Sequence, residues 1–372
     1  MKKKRIAFIV NGGIGGGFGL EGNRWFIELC EEVAKEYDLV VFSLVNVVDR
    51  FEPKGYNLIG VPFEGYTSIL IRFNWLSAKV IYQHFLNKFH LIHAFWAFPS
   101  GTLAMLVGKL LGLKTILTFA GGEVTNIPSI SYGQFRYERV KKIIKFTSKN
   151  VDVLIAPSNY QARKIRDAVL FKRLEVIPFG IDLKKFPVIE KPLHSPYQFI
   201  YVGDINKVKD LPTLIRTFTI ICHKVEARLA IMGLDTLNGE IQAMVRKLNL
   251  TDKITFHGRQ LNSELTFFLR KAHVLLHTSL SDAQIVAVNE ALASGVAVCG
   301  TRVGLIDDLE DKITIAVPVG DADWLAEKVL TLLENQARYK ELIEKGVDWS
   351  KENDLIAQSR KYSQVYQSLI GN

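Results

Sequence analysis

The chain predicts an α/β protein of two doubly wound, Rossmann-like domains facing each other across a cleft, on three observations. Short, nearly continuous apolar runs alternate with amphipathic helical patterns along all 372 residues; such runs are strands buried on both faces, hence parallel sheets covered by helices. The length exceeds that at which a single core keeps growing, so two domains are expected. The alternation breaks once, at Leu183–Gln198, where three prolines and no helical period mark a connection.

In the first half, strands are predicted at Arg5–Val10, Leu39–Ser43, Asn57–Val61, Leu91–Ala94, Thr115–Phe119, Val153–Ala156 and Glu175–Pro178. Helical spacing of apolar residues falls at about Glu21–Glu36, Ile69–Leu86, Thr102–Leu111, Gly133–Thr147 and Asn159–Val169. In the second half, strands are predicted at Gln198–Val202, Arg228–Met232, Ile254–His257, Val274–His277, Ala297–Cys299 and Ile313–Val317. The expected domains are residues 1–186, joined by a C-terminal helix within 355–372, and residues 187–354. Ligands of open α/β sheets bind beyond the carboxyl ends of the strands, so chemistry is sought in the loops that follow them.

Composition narrows the classes. Three widely spaced cysteines (Cys30, Cys222, Cys299) make neither a disulfide framework nor a zinc cluster, which fits a reducing cytoplasm. The apolar stretch after the basic N-terminus, Ile6–Val10, is too short for a signal core, and no run has the length of a membrane span. The net charge is +9, concentrated between Arg136 and Lys149, where six basic residues face Glu138 and apolar residues interleave at helical spacing. That segment reads as a solvated helix face or as a peripheral contact with an anionic membrane. No nucleic-acid module accompanies the charge.

Three loops could carry chemistry. Gly12–Gly19 follows the first strand, where glycine permits close approach to a ligand. Within and beyond it, Gly17–Gly22 matches G-x-G-x-x-G, but the match starts several residues past the strand and the next strand ends without the acid that would hold an NAD ribose. Lys207 and Lys209 stand after strand Gln198–Val202, where an ammonium would neutralise a diphosphate leaving group. Thr278–Gly295 carries Asp282 and Glu290, eight residues apart around a predicted helix start. Asp282 suits an N-cap or a sugar-hydroxyl acceptor, and the amides of Gln284, Ile285 and Val286 suit a diphosphate. Glu290 sits in an otherwise apolar or small run, where a carboxylate needs partners. Asp321-Ala-Asp323 could hold a metal, yet helix capping explains it without one. His93, His257 and His277 end strands and read as structural.

Taken together these elements resemble the family 4 glycosyltransferases, retaining enzymes of the GT-B fold. The resemblance rests on Gly12–Gly19, Ile92–Gly101, Thr118–Glu123, Val176–Asp182, Tyr201–Lys209, Phe256–Gly258, Ser279–Gly295 and Val303-Gly304, in that order over nearly the whole chain. It implies transfer of a hexose-type sugar from a nucleoside diphosphate, UDP or GDP, to a glycan or lipid-linked acceptor hydroxyl, without metal or other cofactor. It assigns Asp282, and the amides after it, to the donor sugar, Glu290 to the ribose and Lys209 to the phosphates. Gly15, Gly16, Gly17, Asp204 and Lys207 join the donor side, and Ala120, Gly121 and Glu123 the acceptor side. The chain departs from the family pattern with Asp204 in place of Arg, Ala120 in place of His, Asp282 in place of Glu, and Gln284-Ile285-Val286 where glycines are usual. These departures leave open a degenerate nucleotide-sugar-binding protein or partner subunit.

Overall fold

A computed structural model of the chain describes residues 3–16, 22–48, 50–63, 67–260 and 262–371. Two compact units partition it: residues 1–180 with 355–372, and residues 181–354.

The first unit carries strands β1 (Arg5–Val10), β2 (Asp38–Ser43), β3 (Asn57–Gly60), β4 (Leu91–Phe95), β5 (Lys114–Thr118), β6 (Val153–Ala156) and β7 (Leu174–Val176). Its helices are α1 (Arg24–Glu36), α2 (Ile69–Leu86), α3 (Thr102–Leu111), α4 (Glu138–Asn150) and α5 (Asn159–Ala168). All seven strands are parallel, in the order β3-β2-β1-β4-β5-β6-β7. Side chains alternate across a strand, and β1 shows why its run is apolar throughout. Ala7 and Ile9 enter the core under α2–α5, while Ile6, Phe8 and Val10 enter the core on the opposite face.

The second unit carries β8 (Tyr197–Val202), β9 (Ala227–Met232), β10 (Ile254–Gly258), β11 (Val274–His277), β12 (Ala297–Thr301) and β13 (Thr314–Val317). Its helices are α6 (Leu211–Cys222), α7 (Glu240–Lys247), α8 (Asn262–Leu269), α9 (Val286–Ala293), α10 (Gly304–Asp308), α11 (Ala322–Glu334) and α12 (Gln336–Glu352). This sheet is also wholly parallel, ordered β10-β9-β8-β11-β12-β13.

The last helix, α13 (Leu355–Ile370), packs in the first unit. Tyr362 and Tyr366 are fully buried there. Tyr366 Oη lies 2.8 Å from His93 Nδ1, and Thr118 Oγ1 lies 2.7 Å from His93 Nε2. His93 is therefore a satisfied core residue of β4, and burial pushes its imidazole down to about 3.

The proline-rich segment after Ile181 belongs to the second unit and is packed along it. Phe186 is buried, and Lys191 Nζ donates to the carbonyls of Leu269 (3.1 Å) and Ala272 (2.8 Å). Among the described residues, no helix is long and apolar enough to cross a membrane.

Candidate active site

In the second sheet the strand order reverses between β8 and β11, so the loops after these two strands leave in opposite directions and open a crevice. The two strands pair only at Phe199–Val274 and Ile200–Leu275. Beyond that point the His277 ring stacks on Tyr201, with centroids 5.8 Å apart and planes 15° apart. The loops are stitched by Leu280 N donating to Val208 O (2.8 Å) and by Thr278 Oγ1 donating to the carbonyls of Lys209 (3.1 Å) and Asp210 (3.0 Å).

This stitching brings Lys209 and Asp282 together although 73 residues separate them. Lys209 Nζ donates to Asp282 Oδ2 at 2.5 Å, with both side chains less than a fifth exposed. The same oxygen accepts from Ser279 Oγ at 2.8 Å and lies 3.3 Å from His277 Nε2, which is itself 2.7 Å from Ser279 Oγ. If the serine proton goes to the carboxylate, the imidazole must carry its proton on Nε2. That leaves Nδ1 as a bare acceptor, and Nδ1 is indeed buried without a partner among the described residues. Asp282 Oδ1 takes no hydrogen bond among the described residues, so half of the carboxylate is uncommitted.

Burial opposes charge on Asp282, but the Lys209 ammonium and His277 outweigh it and hold the carboxyl well below the usual carboxylate range. Burial lowers His277; Lys209 adds to the lowering and Asp282 opposes it. The cluster is thus a carboxylate and an ammonium supported by a neutral imidazole.

Asp282 is not the cap of the helix that follows. The helix cap is Ile285, with φ at 75° and ψ at 86°, and no side chain caps it. A β-branched residue in this region is strained. The amides of Ile285 and Val286 donate to no acceptor among the described residues. Gln284 is fixed from behind: its carbonyl accepts from Leu305 N at 3.1 Å, and Gly304 packs so closely that a Cβ there would stand 2.9 Å from that oxygen. Glu290 lies half-buried in the second turn of α9, and Gly295, at φ 66°, follows the helix end.

Lys207 is exposed at the start of the turn Lys207–Lys209, whose last amide is capped by Asn206 Oδ1 at 3.2 Å. Asp204 is also exposed; its Oδ1 accepts from Leu234 N at 3.2 Å, tying the loops after β8 and β9. The structure therefore groups Lys209 with Asp282 and adds His277 and Ser279, which sequence reasoning missed. The available signal was a histidine at a strand end with Ser two residues on and Asp five residues on.

In the first unit, Gly15 and Gly16 are buried in the turn after β1. Val48 N donates to Gly15 O at 2.6 Å, and a Cβ on Gly16 would stand 2.5 Å from Asn46 O. Gly17 lies outside the described residues, as does most of the G-x-G-x-x-G match. Asn11 bridges this unit's own switch point: it donates to Phe98 O and accepts from Ser100 N, each at 3.0 Å. Glu123 is 1% exposed and turned onto its own loop, accepting from Ala120 N and Gly121 N, each at 2.8 Å. Burial raises this carboxyl and the backbone amides partly offset it. Ala120 and Gly121 are half-buried at the carboxyl end of β5. Asp321 accepts from Trp324 N at 3.0 Å and so caps α11. No group of side chains suited to a metal ion occurs among the described residues.

Two doubly wound parallel sheets define a GT-B protein. The solved structure of sucrose-phosphate synthase from Thermosynechococcus elongatus shares this fold, with a TM-score of 0.83 over 99% of both chains at 20% identity. Alr3699/HepE from Anabaena, solved with UDP and glucose, superposes with a TM-score of 0.77 over 98% of this chain and all of the other at 13% identity. Residues 22–185 match the Glycosyltransferase Family 4 profile and residues 184–349 match Glycosyl transferases group 1. N-acetyl-alpha-D-glucosaminyl L-malate synthase from Bacillus anthracis is 24% identical over 69% of this chain and 68% of its own. Alpha-monoglucosyldiacylglycerol synthase from Streptococcus pneumoniae is 25% identical over 65% of this chain and 58% of its own. The chain belongs to these family 4, group 1 glycosyltransferases.

Proposed function

We propose that the chain moves a hexose-type sugar from a nucleoside diphosphate to an acceptor hydroxyl with retention at the anomeric carbon and without a metal. The carrying observation is the switch-point cluster, where one largely buried ammonium lies within a single loop pair with one carboxylate oxygen and two amides that have no partner among the described residues. Lys209 and the amides of Ile285 and Val286 would supply positive potential to a departing diphosphate. Asp282 Oδ1 would accept from a sugar hydroxyl, and Glu290 from the ribose.

In the proposed step the bond from the anomeric carbon to the diphosphate oxygen breaks. The acceptor oxygen bonds on the same face, and its proton passes to the departing diphosphate. UDP or GDP is the expected nucleotide, and HepE, a structural neighbour, was solved with UDP and glucose. A lipid-linked or envelope glycan is the expected acceptor, consistent with peripheral membrane contact through residues 136–149.

A thermal-shift screen over UDP, GDP, ADP and their sugars identifies the donor, because a ligand of the folded state raises its melting temperature. With that donor, Lys209→Ala and Glu290→Ala each lower transfer or donor hydrolysis by about 10²–10³-fold; full activity in both variants refutes the assignment. Tight nucleotide binding with no turnover over a broad acceptor panel would instead identify a sensor or partner subunit.

A further inference from the structure

On one face of the first sheet, α2 packs beside α3 and α3 beside α4. α2 buries Leu76, Val80 and His84, and a surface helix ordinarily turns a polar stripe outward on its other side. Here Ile71, Tyr82 and Phe85, at helical spacing, are 52%, 54% and 77% exposed, flanked by Leu70 and Leu86 at 65% and 63%. Leu110 on α3 and Phe146 on α4 are also exposed, and Lys109 Nζ lies 5.5 Å from the Phe146 ring centroid, which links the two helices.

The charge on these helices is almost entirely positive. None of residues 65–122 is acidic, and Glu138 is the single acid of the three helices. Against it stand Arg72, Lys79 and Lys109, and on α4 Arg139, Lys141, Lys142, Lys145 and Lys149. Glu138 is itself paired with Lys141 at 3.1 Å.

We propose that this face seats the protein on an anionic bilayer, with α2 placing its exposed apolar row in the headgroup boundary and α4 meeting lipid phosphate. An amphipathic surface that joins apolar and cationic side chains is suited to that interface. Two copies meeting through the face would oppose two cationic rows with almost no acid to offset them. The inference extends the membrane contact above from residues 136–149 to α2, and it does not depend on the transfer chemistry.

The test is co-sedimentation with vesicles of phosphatidylcholine alone and of equal parts phosphatidylcholine and phosphatidylglycerol, with no sugar or nucleotide present. Only the membrane face is then at issue, whatever the outcome of the donor screen. Wild type binds the mixed vesicles about tenfold or more above the neutral ones, and high salt weakens binding. K142E/K145E removes most of the anionic preference. F85S/L86S, altered only at exposed positions, keeps the wild-type melting temperature but binds mixed vesicles about tenfold less. The proposal is overturned by wild type failing to bind mixed vesicles, or by both double variants binding like wild type. It is equally overturned if light scattering shows a dimer that F85S/L86S converts to a monomer.

Discussion

Ile285 offers the sharpest test of the local physics at the Asp282 loop. Its backbone has φ at 75° while its side chain is only 7% exposed, so packing holds an isoleucine in a conformation it disfavours. Cutting the side chain to Ala or to Gly removes the buried group in both cases, at a cost of about 2–5 kcal/mol. The two variants differ in the backbone. Glycine relieves a left-handed penalty of about 1–2 kcal/mol, whereas it loses about 0.4–1 kcal/mol through the greater entropy of the unfolded chain. On the midpoints of these ranges Ile285→Gly is therefore more stable than Ile285→Ala by about 0.8 kcal/mol, the reverse of the order at an ordinary helical position. For a unit of this size about 1 kcal/mol is about 2–4 °C, within reach of scanning calorimetry. An alanine variant that melts above the glycine variant would refute the claim that the backbone is strained.

Three further outcomes follow from the same geometry. Lys209→Met destabilises by about 1–3 kcal/mol by leaving a buried carboxylate short of a partner, and K209M/D282N recovers part of the loss; additive effects in a double-mutant cycle would mean that the pair is not coupled. His93 is held down to about 3 when folded, against about 6.5 when unfolded, so the unfolded chain binds the extra proton between these values. Its contribution is complete above pH 6.5 and is lost at about 1.4 kcal/mol per pH unit as pH falls toward 3; His93→Gln should flatten that slope in acid titrations of stability. Asp204→Asn removes one exposed negative charge from the loop that precedes Lys209, so UDP affinity by calorimetry rises several-fold at low salt and the gain shrinks at high salt; unchanged affinity would place Asp204 away from the diphosphate.

Much of the fold was legible because period and composition report burial. β1 and β11 fall at Arg5–Val10 and Val274–His277, and α2 and α3 at Ile69–Leu86 and Thr102–Leu111, as the apolar runs predict. The start of α4 was misplaced. The helical pattern predicts a start near Gly133, but Gly133 sits at φ 96° in a turn, and the helix begins at Glu138. For the candidate site, Lys209, Asp282 and Glu290 stand out in the sequence as charges at strand ends or in an apolar helix; the structure brings Lys209 and Asp282 into contact and sets the buried His277 beside them. Of the two readings the sequence allows for Asp282, a helix cap or a sugar-hydroxyl acceptor, the structure removes the first, because Ile285 is the cap and Asp282 binds an ammonium 73 residues away.

By itself the sequence determined where most strands and the first-half helices lie, that the sheets are parallel and covered on both faces, and which loops hold the charged residues. Those properties follow from side-chain period and from short-range backbone chemistry. Only the tertiary structure decided that one oxygen of Asp282 is taken by Lys209, Ser279 and His277 while the other has no partner among the described residues, that Glu123 turns its carboxylate onto its own loop, and that α2 carries its apolar residues to the surface. Each depends on which groups meet after the chain has folded, and a hydrogen bond or an exposed face has no period along the sequence to announce it.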